Sequence, residues 1–595
     1  MISAALRVSA RRSALRTLPK RGLTGYRAYS IPSSSQQHST TTGSATPWAI
    51  GSLLVFGPIL FKLTSPPPKP KKQQQHIEHE SPIVNKDINN QSEQQDEKEQ
   101  VTTAPVKKIQ KPYVLIGAGT ASFAAAQAIK ELDSDANVII IGDESYAPYM
   151  RPPLSKEIWF SEDPEVATNL RFKDWQGNER SIYYQDESLY EIINDASGSD
   201  LETDKIKLLL GKPVTKLNVE DHTVTLADGS VIYYNKVLLA TGGAPKHLPK
   251  QPESSKITTF RTVEDLKQLD AIVKPGSHVA VIGGGFLGSE LAVALANRAS
   301  KQKDIKITQV FPEEGNMANV FPSYLTKWTT TRVQKLGVDV KSNSVIDNLE
   351  VLEDGNKVKL TLNAGNDVIT ADHVVVAIGI EPRVNLAREA GLEIDEQRSG
   401  VVVNAELEAR KDVYAAGDMV SFHDIQLGRR RIEHHDHAVL SGRHAGQNMV
   451  GKKVKPYRHQ SMFWSDLGPE VGYEAVGLID SQLSTISVWA KSTEKDTPAV
   501  GAASESDSPR IAGQQQSNQD GGSKQAVKSN ANPVQDEKFG KGLVFYVRDR
   551  KIVGLVLFNV FGKVQEARDI IDAGLTSDKV DNLLKKFNLY DEDDH

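Results

Sequence analysis

The sequence predicts an α/β protein built on two parallel-sheet units, each opened by a glycine-rich turn. The small positions of the two turns are Gly117, Gly119 and Ser122 in VLIGAGTAS, and Gly283, Gly285 and Gly288 in VAVIGGGFLGSE. Each turn follows a run rich in β-branched residues and opens an alanine-rich helical pattern. Glycines at this spacing permit a tight turn and close backbone approach, so that the helix N-terminus can meet a pyrophosphate. Two Rossmann-like dinucleotide-binding domains are therefore predicted.

The third observation is that the 595 residues include no cysteine. Two dinucleotides in one enzyme usually mean hydride transfer from a nicotinamide to a flavin. Without cysteine, the electrons cannot leave through a redox-active disulfide, and no thiolate metal site can form. The sequence therefore predicts a flavin- and nicotinamide-dependent oxidoreductase that uses another outlet.

Residues 1–29 have the composition of a mitochondrial transit peptide, because they carry seven arginines and lysines and no acid. An apolar run, Trp48–Phe61, follows and ends at Lys62. It is shorter than the roughly 20 apolar residues that cross a bilayer, and Pro58 interrupts it. We favour a single membrane anchor over about residues 45–63, with an interfacial segment or a stop-transfer signal as alternatives.

The segment that continues to residue 111 begins PPPKPKK and is then rich in Gln, Glu and Asn. It has too few apolar residues to bury a core and is predicted to be a disordered tether. The formal net charge of the chain is −5, and the first 72 residues carry 11 unopposed positive charges, which leaves −16 for the remainder. Such an acidic body argues against general affinity for nucleic acid.

The first nucleotide unit is predicted to begin with strand Tyr113–Ile116, the first glycine turn and its helix. Strand Asn137–Ile141 then ends at Asp143, which lies 24 positions after Gly119. That spacing is typical of a carboxylate that binds the cofactor ribose. Strand Tyr233–Leu239 ends in an Ala-Thr-Gly-Gly sequence, which returns the chain beside the nucleotide.

The second unit runs from His278 through helix Glu290–Asn297 to strand Ile305–Val310, with Glu313 just beyond. An acid at this strand end favours NADH over NADPH because it would repel a 2′-phosphate. A second ATG-like strand, Val374–Gly379, closes the unit. The lysines close to that acid, which work against this preference, are Lys301, Lys303 and Lys306.

The motif Asp412–Asp418 then brings a Gly-Asp pair of the kind that places a carboxylate at the ribityl chain of a flavin. The first unit is therefore predicted to be discontinuous. The predicted boundaries are 112–243 and 380–456 for the two parts of the FAD-binding domain, 244–379 for the NADH-binding domain and 457–595 for a C-terminal domain. Within the last, residues 494–538 have no aromatic side chain and are predicted to form a disordered loop.

Four long strings carry a resemblance to a known family: PYMRPPLSKE (Pro148–Glu157), GGGFLGSEL (Gly283–Leu291), LGRRRIEHHDHAV (Leu427–Val439) and HQSMFWSDLGPEVGYEA (His459–Ala475). In these strings the chain resembles the apoptosis-inducing factors, mitochondrial oxidoreductases that bind FAD and NADH. The resemblance runs from Tyr113 to the C-terminus apart from the loop after Glu494. It implies a glutathione-reductase type of fold with an FAD domain, an inserted NADH domain and an α+β C-terminal domain.

The resemblance implies a catalytic set of Lys156 at the flavin N5 edge, Glu290 as its acidic partner and His434. A cation held by a carboxylate would stabilise the negative charge that develops on the ring. Phe286 corresponds to the aromatic residue that gates the nicotinamide, and Trp464 stacks nearby. The implied FAD contacts are Gly117, Gly119, Ser122, Asp143, Arg151, Val214, Arg261, Asp418, Glu433 and His434. The implied NAD contacts are Gly283, Gly285, Phe286, Leu287, Gly288, Glu313, Gly379, Glu433, Trp464 and Glu474.

The string Glu433–His437 contains three histidines and two acids, yet no metal is predicted there. Consecutive residues on a helix or turn point in different directions and cannot gather three ligands at one point.

The resemblance also implies a long-lived flavin–NAD charge-transfer complex, NADH-induced dimerisation and release of the C-terminal loop. The dimer surface would include Glu393, Glu406, Arg410 and Arg429, whereas Val402 departs from the arginine of the family. The implied partner is an intermembrane-space import oxidoreductase of the coiled-coil-helix type. The implied location is the intermembrane space, on the inner membrane, with nuclear relocation on release. Apoptotic members bind DNA through basic surfaces, and the acidic body here departs from that pattern.

Three other functions remain open at this point. A type II NADH:quinone reductase also carries two glycine turns, but the acidic end of Leu583–His595 would be repelled by anionic lipid. A ferredoxin or rubredoxin reductase shares this architecture without cysteine. A non-catalytic scaffold for respiratory assembly or cell death would require a vestigial hydride site, against which the intact Lys156, Glu290 and His434 argue.

Overall fold

The computed structural model of the chain describes residues 111–173, 178–200, 203–353, 355–468, 470–491 and 539–589. The predicted transit peptide, apolar anchor segment, tether and loop 494–538 lie outside these ranges. Within them, no helix is both long and apolar enough to cross a bilayer.

The first unit is a seven-stranded sheet whose strands come from two separate stretches of chain. Its elements in the first stretch are β1 (Tyr113–Ile116), α1 (Thr120–Leu132), β2 (Val138–Ile141), α2 (Glu157–Phe160), α3 (Val166–Asn169), β3 (Arg171–Lys173), β4 (Glu179–Ser181), β5 (Tyr190–Ile192), β6 (Ile206–Leu209), β7 (Val214–Asn218), β8 (Thr223–Leu226), β9 (Val231–Tyr233) and β10 (Lys236–Leu239). Strands β7, β8 and β9 form a separate three-stranded sheet.

An inserted unit follows. The segment by which the chain enters it and the segment by which the chain leaves it form one antiparallel strand pair. The elements are β11 (Gly243–Pro245), β12 (Ile257–Thr259), α4 (Val263–Ile272), β13 (His278–Ile282), α5 (Phe286–Lys301), β14 (Lys306–Val310), α6 (Ser323–Lys335), β15 (Asp339–Lys341), β16 (Ile346–Val351), β17 (Val358–Leu362), β18 (Asp367–Ala371), β19 (His373–Val376) and β20 (Ile380–Pro382). Gly243 of β11 is paired with Pro382 of β20, so the insertion enters and leaves at the same place. Its own parallel sheet has the order β12-β19-β13-β14-β15.

The chain then returns to the first unit. The elements are α7 (Asn385–Glu389), β21 (Ile394–Asp395), β22 (Gly400–Val402), β23 (Glu408–Arg410), β24 (Val413–Ala415), β25 (Val420–Asp424), β26 (Gly428–Arg430) and α8 (His435–Val450). Strand β24 pairs in parallel with β10, with Val237 opposite Val413. The complete order of the first sheet is β23-β24-β10-β1-β2-β6-β5.

The C-terminal unit is a five-stranded antiparallel sheet with short helices. Its elements are β27 (Met462–Asp466), β28 (Gly472–Gly477), β29 (Ser484–Lys491), β30 (Phe539–Arg548), β31 (Lys551–Phe558), α9 (Val564–Asp572) and α10 (Val580–Leu583). The sheet order is β27-β28-β31-β30-β29.

Burial explains why the central parallel strands have apolar side chains on both faces. Every residue of β2 is buried, as are Val237, Leu238 and Leu239 of β10, because helices and other elements cover both sides of the sheet. Helices α1 and α8 cover one face. A Cβ atom at Gly442 or Gly446 would come closer to the backbone of α1 than the 3.0 Å that real Cβ atoms keep. This close packing fixes the start of α1 beside the first glycine turn.

Candidate active site

One cavity of about 830 Å³ extends between the first and inserted units. It brings together sixteen of the predicted site residues: Gly117, Gly119, Asp143, Arg151, Lys156, Arg261, Gly283, Gly285, Phe286, Leu287, Glu290, Glu313, Gly379, Asp418, Glu433 and His434. The lining therefore includes both glycine turns and the three residues predicted to be catalytic. The same cavity therefore reaches both predicted dinucleotide sites.

The two glycine turns have the same backbone conformation at their first glycine. Gly117 has φ +107° and Gly283 has φ +127°, and both values favour glycine. A Cβ at Gly117 would overlap the carbonyl of Ala240, and a Cβ at Gly283 would overlap that of Ala377. Each turn therefore packs closely against the end of a neighbouring strand, β10 for the first turn and β19 for the second.

The next glycine of each turn provides the space that a phosphate needs. Gly119 and Gly285 are the N-caps of α1 and α5, and a Cβ at either residue would meet nothing within 4 Å. Helix N-termini with exposed N–H groups attract anions. The cradles in this structure thus fit two dinucleotide pyrophosphates.

The third small position serves packing in both turns. A Cβ at Gly288 would overlap the carbonyl of Gly283, and Ser122 is completely buried in α1. Neither residue lines the cavity. Both lie beneath the cofactor cradles, so the structure places them in support of the turns.

Lys156 and Glu290 form a buried ion pair where the two units meet. Lys156 Nζ donates to Glu290 Oε1 at 2.9 Å, and both side chains are less than a tenth exposed. The carboxylate also accepts hydrogen bonds from Ser155 Oγ at 3.0 Å and from Ser465 Oγ at 2.6 Å. Glu290 is thus held by the first unit and by the C-terminal unit while it lies on α5 of the inserted unit.

Burial by itself would lower the pKa of Lys156, but the neighbouring carboxylates Glu290 and Glu157 outweigh it and raise the pKa above its usual value. The ammonium group also lies 5.5 Å from the centre of the Trp464 ring, a position in which a cation is attracted to the ring face. Lys156 is therefore a fixed cation in a buried part of the cavity.

His434 lines the cavity as part of an aromatic cluster. Its ring stacks on Phe463 with centroids 4.5 Å apart and meets Phe286 edge-on at 6.2 Å. Burial, reinforced by Arg430, lowers the pKa of His434 to about 4. The imidazole is therefore neutral at physiological pH and offers an uncharged, flat surface.

The side chains that follow His434 in the sequence contact different partners. His435 stacks over Tyr184 with centroids 6.3 Å apart, whereas Asp436 accepts a hydrogen bond from His459 Nε2 at 2.8 Å. His437 stacks on Phe422 at 4.9 Å. In the described parts of the chain, no group of His, Asp and Glu residues is arranged to hold a metal ion.

Three ion pairs line the part of the cavity that belongs to the first unit. Their N–O distances are 2.5 Å for Arg151–Glu144, 3.1 Å for Arg261–Asp418 and 2.7 Å for Arg383–Asp143. Arg151 also donates to the Arg261 carbonyl at 2.9 Å. Arginines that are oriented by carboxylates in this way suit an anionic ligand.

The inserted unit supports its side of the cavity with neutral hydrogen bonds. Gln309 Nε2 donates to the Gly283 carbonyl at 2.9 Å, and Asn316 Nδ2 donates to Gln309 Oε1 and Ser289 Oγ, each at 2.9 Å. Met317 N donates to the Gly284 carbonyl at 2.8 Å. The glycine turn is thus tied to the chain segment after β14.

Besides Ser122 and Gly288, three further predicted contact residues lie outside the cavity lining. Trp464 stands behind Lys156, and Glu474 is buried directly opposite Trp464 in the β27–β28 pair. Val214 begins β7 in the small three-stranded sheet. Glu433, in contrast, lines the cavity and pairs with Arg431 at 2.5 Å, and burial raises its pKa against the effect of that arginine.

Sequence reasoning missed several partners in the site. Glu144 follows the predicted Asp143 directly, so a second acid at the end of β2 was a usable signal. Arg383 and Ser465 contact residues that are 240 and 175 positions away, and nothing in a single sequence indicates such pairings.

The residues predicted for a dimer surface all have solvent access, and Glu393 and Arg410 are exposed. Arg410 has an intramolecular partner, Glu220, at 3.6 Å. Arg429 donates to the Ser421 carbonyl at 2.7 Å.

Comparisons with known proteins identify the family. The family model of pyridine nucleotide-disulphide oxidoreductases matches residues 111–442, and the model of the C-terminal region of mitochondrion-associated apoptosis-inducing factor matches residues 445–573. The mitochondrial apoptosis-inducing factor 1 of Dictyostelium discoideum is 38% identical over 488 residues, which cover 81% of this chain and 82% of that protein. The chain belongs to the apoptosis-inducing factor family.

A relative from Drosophila melanogaster with the same family name is 41% identical over 490 residues. The match covers 80% of this chain and 65% of the relative, so the chain spans less than two thirds of that protein's length. Members of the apoptosis-inducing factor family are FAD-dependent NAD(P)H oxidoreductases. The predicted enzyme class and the predicted cofactors, FAD and NADH, are confirmed at the level of the family.

Solved structures confirm the predicted fold class. A ferredoxin reductase from Rhodopseudomonas palustris superimposes with a TM-score of 0.60 at 22% identity and covers 80% of this chain and 100% of its own. Putidaredoxin reductase, in its covalent complex with putidaredoxin, also gives a TM-score of 0.60, at 21% identity, and covers 81% of this chain and 100% of its own.

Proposed function

We propose that the chain is a mitochondrial NADH oxidoreductase of slow turnover that reduces a bound FAD. The observation that carries the proposal is the buried Lys156–Glu290 ion pair in the same cavity as the two glycine turns. When bound, the flavin supplies an acceptor for the hydride of NADH.

The chain's own residues prepare the site for that transfer. Lys156 provides a fixed positive charge where negative charge would develop, and Glu290 holds the ammonium group in place. His434 and Phe286 form an uncharged aromatic wall that can orient a nicotinamide ring and exclude water.

The test of hydride transfer is an anaerobic titration of the purified full-length chain with NADH, followed by flavin absorbance. We expect bleaching of the flavin together with a stable long-wavelength band from a flavin–NAD charge-transfer complex. Lys156→Met should slow the reduction by roughly 10²-fold, whereas Lys335→Met, at an exposed position of α6, should not change it. No bleaching in the wild type would contradict the proposal and leave a scaffold function. Rapid reduction without the band would indicate an ordinary electron-transfer reductase.

We further propose that NADH reduction drives dimerisation through a surface that includes Glu393, Glu406, Arg410 and Arg429. The exposure of Arg410 and its long, 3.6 Å pairing with Glu220 support this, since the guanidinium can exchange partners. Sizing of the oxidised and NADH-reduced protein tests it. Arg410→Glu should reduce dimerisation without changing flavin reduction, and Lys335→Glu should leave both unchanged.

The reduced protein is proposed to act in the intermembrane space, anchored to the inner membrane, as a factor in respiratory-chain biogenesis. Its proposed partner is the coiled-coil-helix import oxidoreductase, and on release it would promote caspase-independent cell death. The names of its relatives, which are mitochondrial apoptosis-inducing factors, support the mitochondrial location and the role in cell death. Capture of the import oxidoreductase by the NADH-reduced but not the oxidised chain is the expected result. Equal capture by both forms would contradict redox control.

A further inference from the structure

Arg383 bridges two parts of the molecule that are 240 residues apart. Its backbone N–H donates to the Gly242 carbonyl at 2.9 Å, and its carbonyl accepts from Thr241 Oγ1 at 2.7 Å. Both sides of the residue are therefore fixed to the turn after β10. From there the side chain reaches the end of β2, where Nη1 donates to Asp143 Oδ2 at 2.7 Å.

This pair is the outermost of the three ion pairs that line the first unit's part of the cavity. The side chains of Arg261 and Asp418 are 20% and 16% exposed, and those of Arg151 and Glu144 are 30% and 22% exposed. Arg383 and Asp143 are 46% and 47% exposed, although both line the cavity. The pair thus lies where the cavity opens to solvent.

We infer that Arg383 acts, through its ion pair with Asp143, as a clasp across the mouth of the FAD part of the cavity, where it slows release of the cofactor. The inference rests on the proposed binding of FAD at this site. A guanidinium has five N–H donors, so Arg383 can hold Asp143 and still donate to a phosphate or ribose oxygen. Because the backbone of Arg383 is hydrogen-bonded on both sides, closing the clasp requires only side-chain motion.

The exposure of the clasp makes it more sensitive to salt than the two less exposed pairs. Exposed ion pairs are weakened by salt, because the Debye length falls from about 30 Å at 0.01 M to about 3 Å at 1 M, whereas buried pairs are screened much less. Release of FAD from the wild type should therefore accelerate with salt, and the acceleration should depend on Arg383.

The experiment measures the FAD dissociation rate by recovery of flavin fluorescence after dilution of the full-length holoprotein, at 0.02 M and 0.5 M NaCl. Arg383→Ala should release FAD about two- to fivefold faster than the wild type at low salt and should show no further acceleration at high salt. Asp143→Asn should have at least as large an effect, because Asp143 is itself a predicted FAD contact, and adding Arg383→Ala to it should accelerate release little further. Arg383→Lys, which keeps the charge, should lie between the wild type and Arg383→Ala.

Arg388→Ala is the matched control, because Arg388 forms an exposed ion pair with Glu396 at 3.5 Å and does not line the cavity. Its release rate should equal that of the wild type. Equal release rates for wild type and Arg383→Ala at both salt concentrations would overturn the clasp. If Arg383→Ala does not fold, the salt dependence of the wild type and of Arg383→Lys decides the question in the same way. A wild type that binds no FAD would overturn the proposed function itself, whereas FAD binding with release independent of Arg383 would overturn the clasp alone.

Discussion

The two nucleotide units have the same glycine turn but different surroundings. Around the first turn, three arginine–carboxylate pairs line the cavity. Around the second, the supporting side chains are neutral: Gln309, Asn316 and Ser289 form a buried chain of hydrogen bonds that ends on the carbonyl of Gly283.

This difference matches two kinds of ligand. Charged pairs that surround an anionic cofactor hold it by many strong, oriented contacts, which suits a cofactor that stays bound through many turnovers. Neutral hydrogen bonds behind a glycine turn fix the shape of the cradle without adding long-range attraction, which suits a dinucleotide that must leave. The backbone motif thus fits a pyrophosphate in both units, and we expect the surrounding side chains to set how long each ligand stays bound.

The largest expected effect is a loss of stability at acid pH, which should come from the buried histidines beside the first unit. In α8 and its N-cap, burial lowers the pKa of His434 and His435 to about 4 and that of His437 to about 3. Above the ordinary value of 6.5, both the folded and the unfolded chain hold neutral rings. Between pH 6.5 and about 4, only the unfolded chain binds protons. The free energy of unfolding should therefore fall by up to about 1.4 kcal/mol per pH unit for each histidine.

Thermal unfolding of the holoprotein from pH 7.5 to 4 measures this slope. His435→Gln should flatten the slope by the share of one histidine, while His423→Gln, at an exposed position, should leave it unchanged. A melting temperature that is constant between pH 6.5 and 4.5 would contradict the prediction.

The next effect concerns the junction of the units. Glu290→Ala leaves the buried Lys156 ammonium without its partner, and breaking a buried ion pair in this way costs about 3–5 kcal/mol. Chemical denaturation measures the loss. Glu290→Gln keeps an acceptor for Lys156 and should cost less, and Glu396→Ala, in an exposed pair, should stay within about 0.5 kcal/mol of the wild type. Equal stabilities for Glu290→Ala and Glu396→Ala would show that the junction is held by other contacts.

A smaller effect is expected within the inserted unit. Gln309→Leu removes the donor to the Gly283 carbonyl and one of the two acceptors of the Asn316 amide, at a cost of about 1–3 kcal/mol. The KM for NADH should rise severalfold while the FAD content of the purified protein stays constant. Thr331→Val, on the exposed side of α6, is the control. Loss of FAD from Gln309→Leu would mean that the two cradles are not independent.

The smallest effect tests the C-terminal unit as a support for the inserted unit. Tyr546 Oη donates to the carbonyl of Val320 at 2.6 Å, and Val320 lines the cavity. Tyr546→Phe removes one hydrogen bond worth about 0.5–1.5 kcal/mol, so the KM for NADH should rise by at most about tenfold with no change in FAD release. An unchanged KM would show that the C-terminal unit does not position this wall.

Much of the fold could be predicted because short-range patterns determine it. Strand β1 has the predicted bounds, and β2 and β14 each begin one residue later than predicted. Helix α5 runs from Phe286 to Lys301, longer at both ends than the predicted Glu290–Asn297, because Gly285 is its N-cap. The residues of the glycine turn itself therefore form the first turn of the helix.

The site was predicted less completely, for a different physical reason. Backbone requirements such as those of Gly117 and Gly283 are local and can be read from the sequence. The direction of a side chain depends on tertiary packing, and Glu474 and Trp464 therefore lie behind the cavity wall. Charge partners such as Arg383 and Asp143 meet only after the insertion has folded, and their pairing leaves no local pattern.

The return of the chain to the first sheet has a consequence for synthesis on the ribosome. The sheet of the inserted unit is complete once β19 ends at Val376, whereas the first sheet waits for β24 at Val413–Ala415. Long-range pairing is slow because the intervening chain must first be ordered, and domains fold as units during translation. The inserted unit, which starts later in the sequence, is therefore expected to reach its native state first. The strands of the first sheet would then complete their pairing beside a unit that is already folded.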